Sequence, residues 1–144
     1  MKVLFISHSL KDTYLPISGG FIFEQALALK KNGVDVSIVA VNLISLKSVV
    51  KFKKIDFGYR CMRDHNMLQM VYQIPSIPFL KGFNTWIRNK LLVRLIKKNI
   101  SENGAPQIAH VHVFYSGKAA IWLKQKLKIP YVITEHFSVF AQKL

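Results

Sequence analysis

The sequence predicts a doubly wound α/β sheet, on three observations. Lys2–Ser7 (KVLFIS) and Val34–Val41 are near-continuous apolar runs, which is how strands buried on both faces of a parallel sheet read. Phe21–Asn32 lies between them with apolar residues at helical spacing. Strand, helix and strand thus fall within about forty residues, a βαβ unit with the usual right-handed crossover. The alternation returns near the end, where Ile108–Val113, Gly117–Leu127 and Pro130–Thr134 read as strand, helix and strand.

In chain order, the first strand is followed by a loop, His8–Gly20, rich in Ser, Asp, Pro and Gly. The helix after it turns Ile22, Phe23, Ala26, Leu27 and Leu29 inward. It carries Glu24 in its first turn, Lys30 and Lys31 in its last, and Gly33 as its C-terminal cap. Leu43–Lys54 mixes apolar and basic residues and is best assigned to helix. Phe57–Ile74 holds one or two strands, Met67–Tyr72 being the clearest, and the two prolines of Ile74–Pro78 mark a loop. Phe83–Ile100 returns to helical period. Phe83, Trp86, Ile87, Leu91, Leu95 and Ile96 are expected inside, with Arg88, Arg94, Lys97 and Lys98 outside, and Asn103-Gly104 ends the helix. In the last helix Ala119, Ala120, Leu123 and Leu127 are expected inward.

Composition bounds the rest. With 144 residues, 51% of them hydrophobic and 19% charged, the chain is read as one domain, 1–144, able to build a core. Twenty-one Lys+Arg against seven Asp+Glu give a formal charge of +14, which favours anionic partners. Cys61 is the single cysteine, so an internal disulfide is ruled out and a reducing compartment fits. His8, Lys11 and Asp12 interrupt the opening apolar run too early for a secretory signal. The most apolar stretch, Val36–Leu46, is too short to span a membrane and contains Asn42. No nucleic-acid-binding module is recognisable, so nucleic acid is not an expected partner.

Ligands of an open parallel sheet bind beyond the carboxyl ends of its strands. His8, Gly19-Gly20, His110, His112 and Glu135-His136 all fall there. Two glycines before a helix let a backbone approach a ligand closely, and the helix N-terminus offers N–H groups to an anion such as a diphosphate; the plain alternative is a flexible turn. The dinucleotide fingerprint is absent, and Asn42 stands near the end of the second strand where such folds carry an acid, so a nicotinamide cofactor is not expected. His110 and His112 alternate along a strand and so share a face. With Glu135 and His136 they could ligate a metal, but a core histidine beside a cleft-facing one is the preferred reading, and no metal is expected. His136, just past a buried strand, could donate a hydrogen bond to a substrate hydroxyl or phosphate. Glu135 could serve as a base or as a structural partner.

These segments together resemble a known family. Lys2–Ser9 followed by Ile17–Val36 (ISGGFIFEQALALKKNGVDV) resembles the opening of family 4 glycosyltransferases. Ile108–His112 with Gly117–Ala120 is similar to their fourth-strand region, and Ile129–His136 to their fifth strand and its exit loop. Leu43–Pro78 carries little of the likeness. The resemblance implies the GT-B architecture of two Rossmann-like domains facing a cleft, with an acceptor-side N-terminal domain and a C-terminal domain holding a nucleotide sugar. Transfer retains anomeric configuration and needs no cofactor. By the same resemblance, Gly19 and Gly20 lie near the donor's phosphates, and His136 contacts the donor sugar or its phosphates. His112 and Tyr115-Ser116-Gly117 are candidate walls of the acceptor pocket, and Glu135 belongs with the substrate-binding residues.

Family members are usually more than twice this long. The donor domain, its paired glutamates and its diphosphate-gripping cations are not among these 144 residues. Catalysis by this chain alone is therefore not expected. The expected role is the N-terminal, Rossmann-like domain of a cytoplasmic, retaining glycosyltransferase of polysaccharide or lipid-linked glycan synthesis, peripheral on the inner membrane face. A non-catalytic module docking on an anionic membrane or on a donor-site partner subunit is the alternative.

Overall fold

The computed structural model describes residues 1–10, 19–51 and 55–135. Its elements run β1 (Lys2–Ser7), α1 (Gly20–Lys31), β2 (Asp35–Ile44), α2 (Leu46–Lys51), β3 (Gly58–Asp64), β4 (Met67–Pro75), α3 (Lys81–Asn103), β5 (Ile108–His112), α4 (Gly117–Leu127) and β6 (Tyr131–Thr134), with one 3₁₀ turn at Phe114–Ser116. Six strands form one sheet in the order β3-β4-β2-β1-β5-β6. Every pairing is parallel except β3 with β4.

The apolar runs become central strands because both of their faces are covered. Leu4 and Ile6 of β1 join Val39, Val41, Val111 and the inner residues of α3 and α4 on one face. Val3 and Phe5 join Val36, Ile38, Ile22 and Ala26 on the α1 face. Each fully buried Leu, Ile or Phe contributes about 1.5–3 kcal/mol. Helix α1 stops in a Schellman arrangement: Val34 N–H donates to the Leu29 carbonyl at 3.1 Å and Gly33 N–H to that of Lys30 at 3.0 Å. Gly33 takes φ +78°, which a side chain would resist.

Several expectations are corrected. Strand β2 continues to Ile44, three residues past Val41. The expected doubly wound α/β sheet is present, with β3 its one antiparallel strand among the described residues. The hairpin of β3 with β4 turns at His65 and Asn66, both left-handed at φ 47° and 58°, as a tight right-twisting turn requires. Helix α1 begins at Gly20, which moves Glu24 out of the first turn. Helix α3 keeps Leu95 and Ile96 inside as expected, but its first turns leave the expected face in solvent. Asn89, Leu92, Leu95, Ile96 and Asn99 are buried, whereas Phe83 and Trp86 are exposed. Both buried asparagines find polar contacts: Asn89 bonds three ways, and Asn99 Oδ1 accepts from Ser37 Oγ at 3.1 Å, although Asn99 Nδ2 is buried without a partner. Leu127 of α4 is likewise exposed, while Ala119, Ala120 and Leu123 are buried as expected.

Candidate active-site crevice

The chain leaves β1 toward β2 on one side and comes back to β5 on the other, so the strand order reverses between β1 and β5. The register sets the strand ends level there: Ser7 pairs with Ala40 and with His112, and His112 pairs with Thr134. Beyond this line stand His8 to Leu10, the start of α1, the turn after β5, and Glu135.

The exit from β1 is held by short-range bonds. Ser7 Oγ donates to the Ser9 carbonyl at 2.5 Å, and Ser9 Oγ lies 3.3 Å from His8 Nε2. Leu10 is fixed from across the sheet by Asn42: Leu10 N–H donates to Oδ1 at 2.8 Å and Nδ2 donates to the Leu10 carbonyl at 3.1 Å. Asn42, read from sequence only as a missing acid, is thus a buried clamp on this loop.

Gly19 is the N-cap of α1 in the left-handed conformation, φ 69°, ψ 12°, which favours glycine strongly. Among the described residues no side chain caps the helix, and its first turn holds no acid. The positive end of a helix dipole is the end that suits an anion. Among the described residues, a Cβ on Gly20 would meet nothing within 4 Å. A cavity of about 470 Å³ also touches Gly20, with Leu10, Phe23, Glu24, Met62, Asp64 and Gln69 on its walls. Its two carboxylates would repel a diphosphate, so its chemistry does not match the helix end.

His110 and His112 do share a face, with ring centroids 4.2 Å apart. Both pack on Phe5, at 4.8 and 4.9 Å. His112 is fully buried, and Phe21 of the first turn of α1 reaches it at 6.3 Å between ring centroids. The ends of β1 and β5 and the glycine corner therefore meet through an aromatic and imidazole stack. His110 Nε2 lies 2.7 Å from Thr134 Oγ1, tying β5 to β6. Glu135 Oε2 accepts the Phe114 N–H at 3.1 Å, so one carboxylate oxygen holds the turn after β5. His136 lies outside the described residues. Among those described, no group of three or more His, Cys, Asp or Glu is arranged to hold a metal ion.

Three features here escape sequence inspection. Val113 adopts φ 70°, ψ 134°, strained for a β-branched residue, while its N–H donates to the Thr134 carbonyl at 2.9 Å. Asn89 of α3 donates to the carbonyls of Thr85 and Tyr115 at 2.9 and 3.2 Å and accepts Ala119 N–H at 3.2 Å, locking the 3₁₀ turn between α3 and α4. Arg88 is half-buried with its Nε lacking a hydrogen-bond partner. Burial pushes its guanidinium below its usual pKa, and the neighbouring Tyr115 partly opposes that. Arginines on an exposed-looking helix face give no signal of this kind.

The Glycosyltransferase Family 4 model matches residues 19–144. The fold is similar to the catalytic domain of starch synthase IV from Arabidopsis thaliana, a structure bound to ADP and acarbose: TM-score 0.59, 14% identity, 94% of this chain and 34% of that one. It is also similar to the trehalose-6-phosphate protein from E. coli bound with UDP-2-fluoro glucose: TM-score 0.53, 12% identity, 88% of this chain and 30% of that one. At these identities the likeness shows the fold, and this chain spans about a third of each of those structures. No curated protein matches the chain.

Proposed function

The chain belongs to glycosyltransferase family 4, and from that premise we propose that it forms the acceptor-side domain of a retaining enzyme using a nucleotide-sugar donor. The acceptor is a glycan or a lipid-linked glycan. The observation that carries the reading is the left-handed Gly19 at a helix start that no side chain among the described residues caps, at the reversal point of the sheet. Amides there suit a diphosphate. The nucleotide ligands in the two similar structures, ADP and UDP-2-fluoro glucose, support a donor of that class.

In this reading Gly19 and Gly20 admit the donor diphosphate to the N-terminus of α1. His136 hydrogen-bonds the donor sugar or phosphate and stabilises charge as the glycosidic bond to phosphate breaks. Glu135 keeps the turn after β5 in place, and His112 buttresses the glycine corner through Phe21. Tyr115 and Gly117 flank the acceptor. A second Rossmann-like domain supplies the rest of the donor site. This half-cleft alone neither excludes water nor orients two substrates, so transfer needs that domain. Among the described residues no helix is long and apolar enough to cross a membrane. The reading carries a cytoplasmic location, in keeping with the free thiol of Cys61.

The test is transfer of labelled sugar by this chain joined to a family donor domain, with His136→Ala and Gly19→Val as variants. Both are expected to lose at least about a hundredfold in kcat/KM, the scale of losing one charge-stabilising contact; His136→Ala should keep its stability, whereas Gly19→Val also loses some because a β-branched residue resists the left-handed backbone at Gly19. Wild-type turnover in both would remove this corner from the site.

A further inference from the structure

The loop between β4 and α3 lies on the same sheet edge as the crevice, and it displays apolar side chains to solvent. Phe79 is 100% exposed at φ 65°, and Ile77, Leu80, Phe83 and Trp86 are exposed beside it. These residues are not simply loose. Asn84 grips Ile77 at both backbone atoms, accepting its N–H at 3.0 Å and donating to its carbonyl at 2.8 Å, and Asn84 N–H donates to the Leu80 carbonyl at 3.0 Å. Phe83 and Trp86 lean together at 5.6 Å between ring centroids. A braced loop and the first turns of a helix thus hold three aromatic and two aliphatic side chains outward.

The charge around this patch has one sign. From residue 65 to residue 134 the chain has ten lysines and arginines and a single acid, Glu102. Lys81 and Lys90 border the aromatics, and Lys90 Nζ sits 4.6 Å above the Trp86 ring. The patch continues into a groove of about 380 Å³ between α3 and α4, walled by Trp86, Val93 and Trp122, with Lys90 and Lys118 at its rim. Aromatic side chains at the level of lipid headgroups, with lysines beside them, are what an anionic bilayer interface selects.

We propose that Ile77–Trp86, with Lys81, Lys90 and Lys118, is a docking surface for an anionic lipid bilayer. The apolar side chains enter the headgroup region, and the ammonium groups pair with lipid phosphates. Because patch and crevice share one sheet edge, docking brings the crevice to the membrane. On the transferase reading, this makes the acceptor lipid-borne. Docking itself requires no transfer, so it can fail or succeed independently of that reading.

The experiment is co-sedimentation of the full chain with phosphatidylcholine vesicles, neutral or containing roughly a third phosphatidylglycerol, at low salt and at about 0.5 M NaCl. Strong, salt-sensitive binding to the anionic vesicles is expected, with a blue shift of tryptophan emission that Trp86→Phe removes. Each lysine near the surface is worth about fivefold in partition, so the double variant Lys81→Glu/Lys90→Glu should bind at least roughly twentyfold more weakly. Phe79→Ser/Leu80→Ser, at solvent-exposed positions that do not support the core, should lose the blue shift and most of the binding. Equal binding to neutral and anionic vesicles, or binding unchanged by both double variants, would overturn the proposal. So would absence of binding in a chain whose Phe79→Ser/Leu80→Ser variant disperses a dimer, since a second copy would then cover the patch.

Discussion

The side chain of Asn42 holds Leu10 by both backbone atoms, N–H to Oδ1 at 2.8 Å and carbonyl to Nδ2 at 3.1 Å, across 32 positions of sequence. Both residues are buried. The clamp fixes where the chain leaves β1 and so where the loop toward Gly19 begins. Removing it strands a buried donor and acceptor. Asn42→Ala is expected to lose about 2–4 kcal/mol in urea unfolding. Asn42→Asp should be no better at neutral pH, because it sets a carboxylate against the Leu10 carbonyl. A loss under about 0.5 kcal/mol for both would show that Leu10 is held by something else.

Val113 offers a contrast with its strand neighbour Val111. Both are buried, but Val111 sits in regular β5 and Val113 at φ 70° just beyond it. Relief of roughly 1–3 kcal/mol of backbone strain should offset much of the lost burial in Val113→Gly. We expect Val113→Gly to stay within about 1 kcal/mol of wild type, and Val111→Gly to lose about 3 kcal/mol or more. Comparable losses in the two variants would mean that no strain is stored at the turn after β5.

Asn89 joins three segments through one carboxamide: its own helix at Thr85, the 3₁₀ turn at Tyr115 and the start of α4 at Ala119. Asn89→Leu keeps the bulk and deletes every bond. A loss of about 2–4 kcal/mol is expected, together with faster proteolysis at Phe114-Tyr115. Stability loss with unchanged cleavage there would assign Asn89 to the helix pair alone.

Much of this was legible before any coordinates. β1 and β2 announce themselves because residues buried on both faces leave little room for polar alternation, and in β5 the shared face of His110 and His112 follows from strand geometry. The outward first turns of α3 and its buried asparagines were not legible, although Leu95 and Ile96 were placed inside correctly. Counting apolar residues puts Phe83 and Trp86 inside and leaves Asn89 and Asn99 out. Burial of Asn99 depends on Ser37, 62 positions away, and no local pattern reports such a partner. The antiparallel β3 was equally hidden, since its turn uses His65-Asn66 with no glycine to mark the left-handed pair. In the crevice, residue types were visible but not their settings. His112 is a fully buried ring, and the carboxylate of Glu135 is engaged by the Phe114 N–H.

The two glycines of the corner make opposite predictions, and the pair separates a plain turn from a ligand site. Gly19 is left-handed, so Gly19→Ala should cost about 1–2 kcal/mol of stability from strain alone. Gly20 is the first residue of α1, and a methyl there meets nothing within 4 Å among the described residues. Gly20→Ala should therefore be neutral or stabilise by up to about 1 kcal/mol, since alanine has less freedom to lose on folding. If the empty space over Gly20 is where a diphosphate approaches the helix, the same methyl blocks it. The donor-completed enzyme carrying Gly20→Ala should then unfold no earlier than wild type while its KM for the nucleotide sugar rises about tenfold or more, roughly 1.4 kcal/mol of lost binding. Raised stability with an unchanged KM would leave the glycine pair as a turn and nothing more.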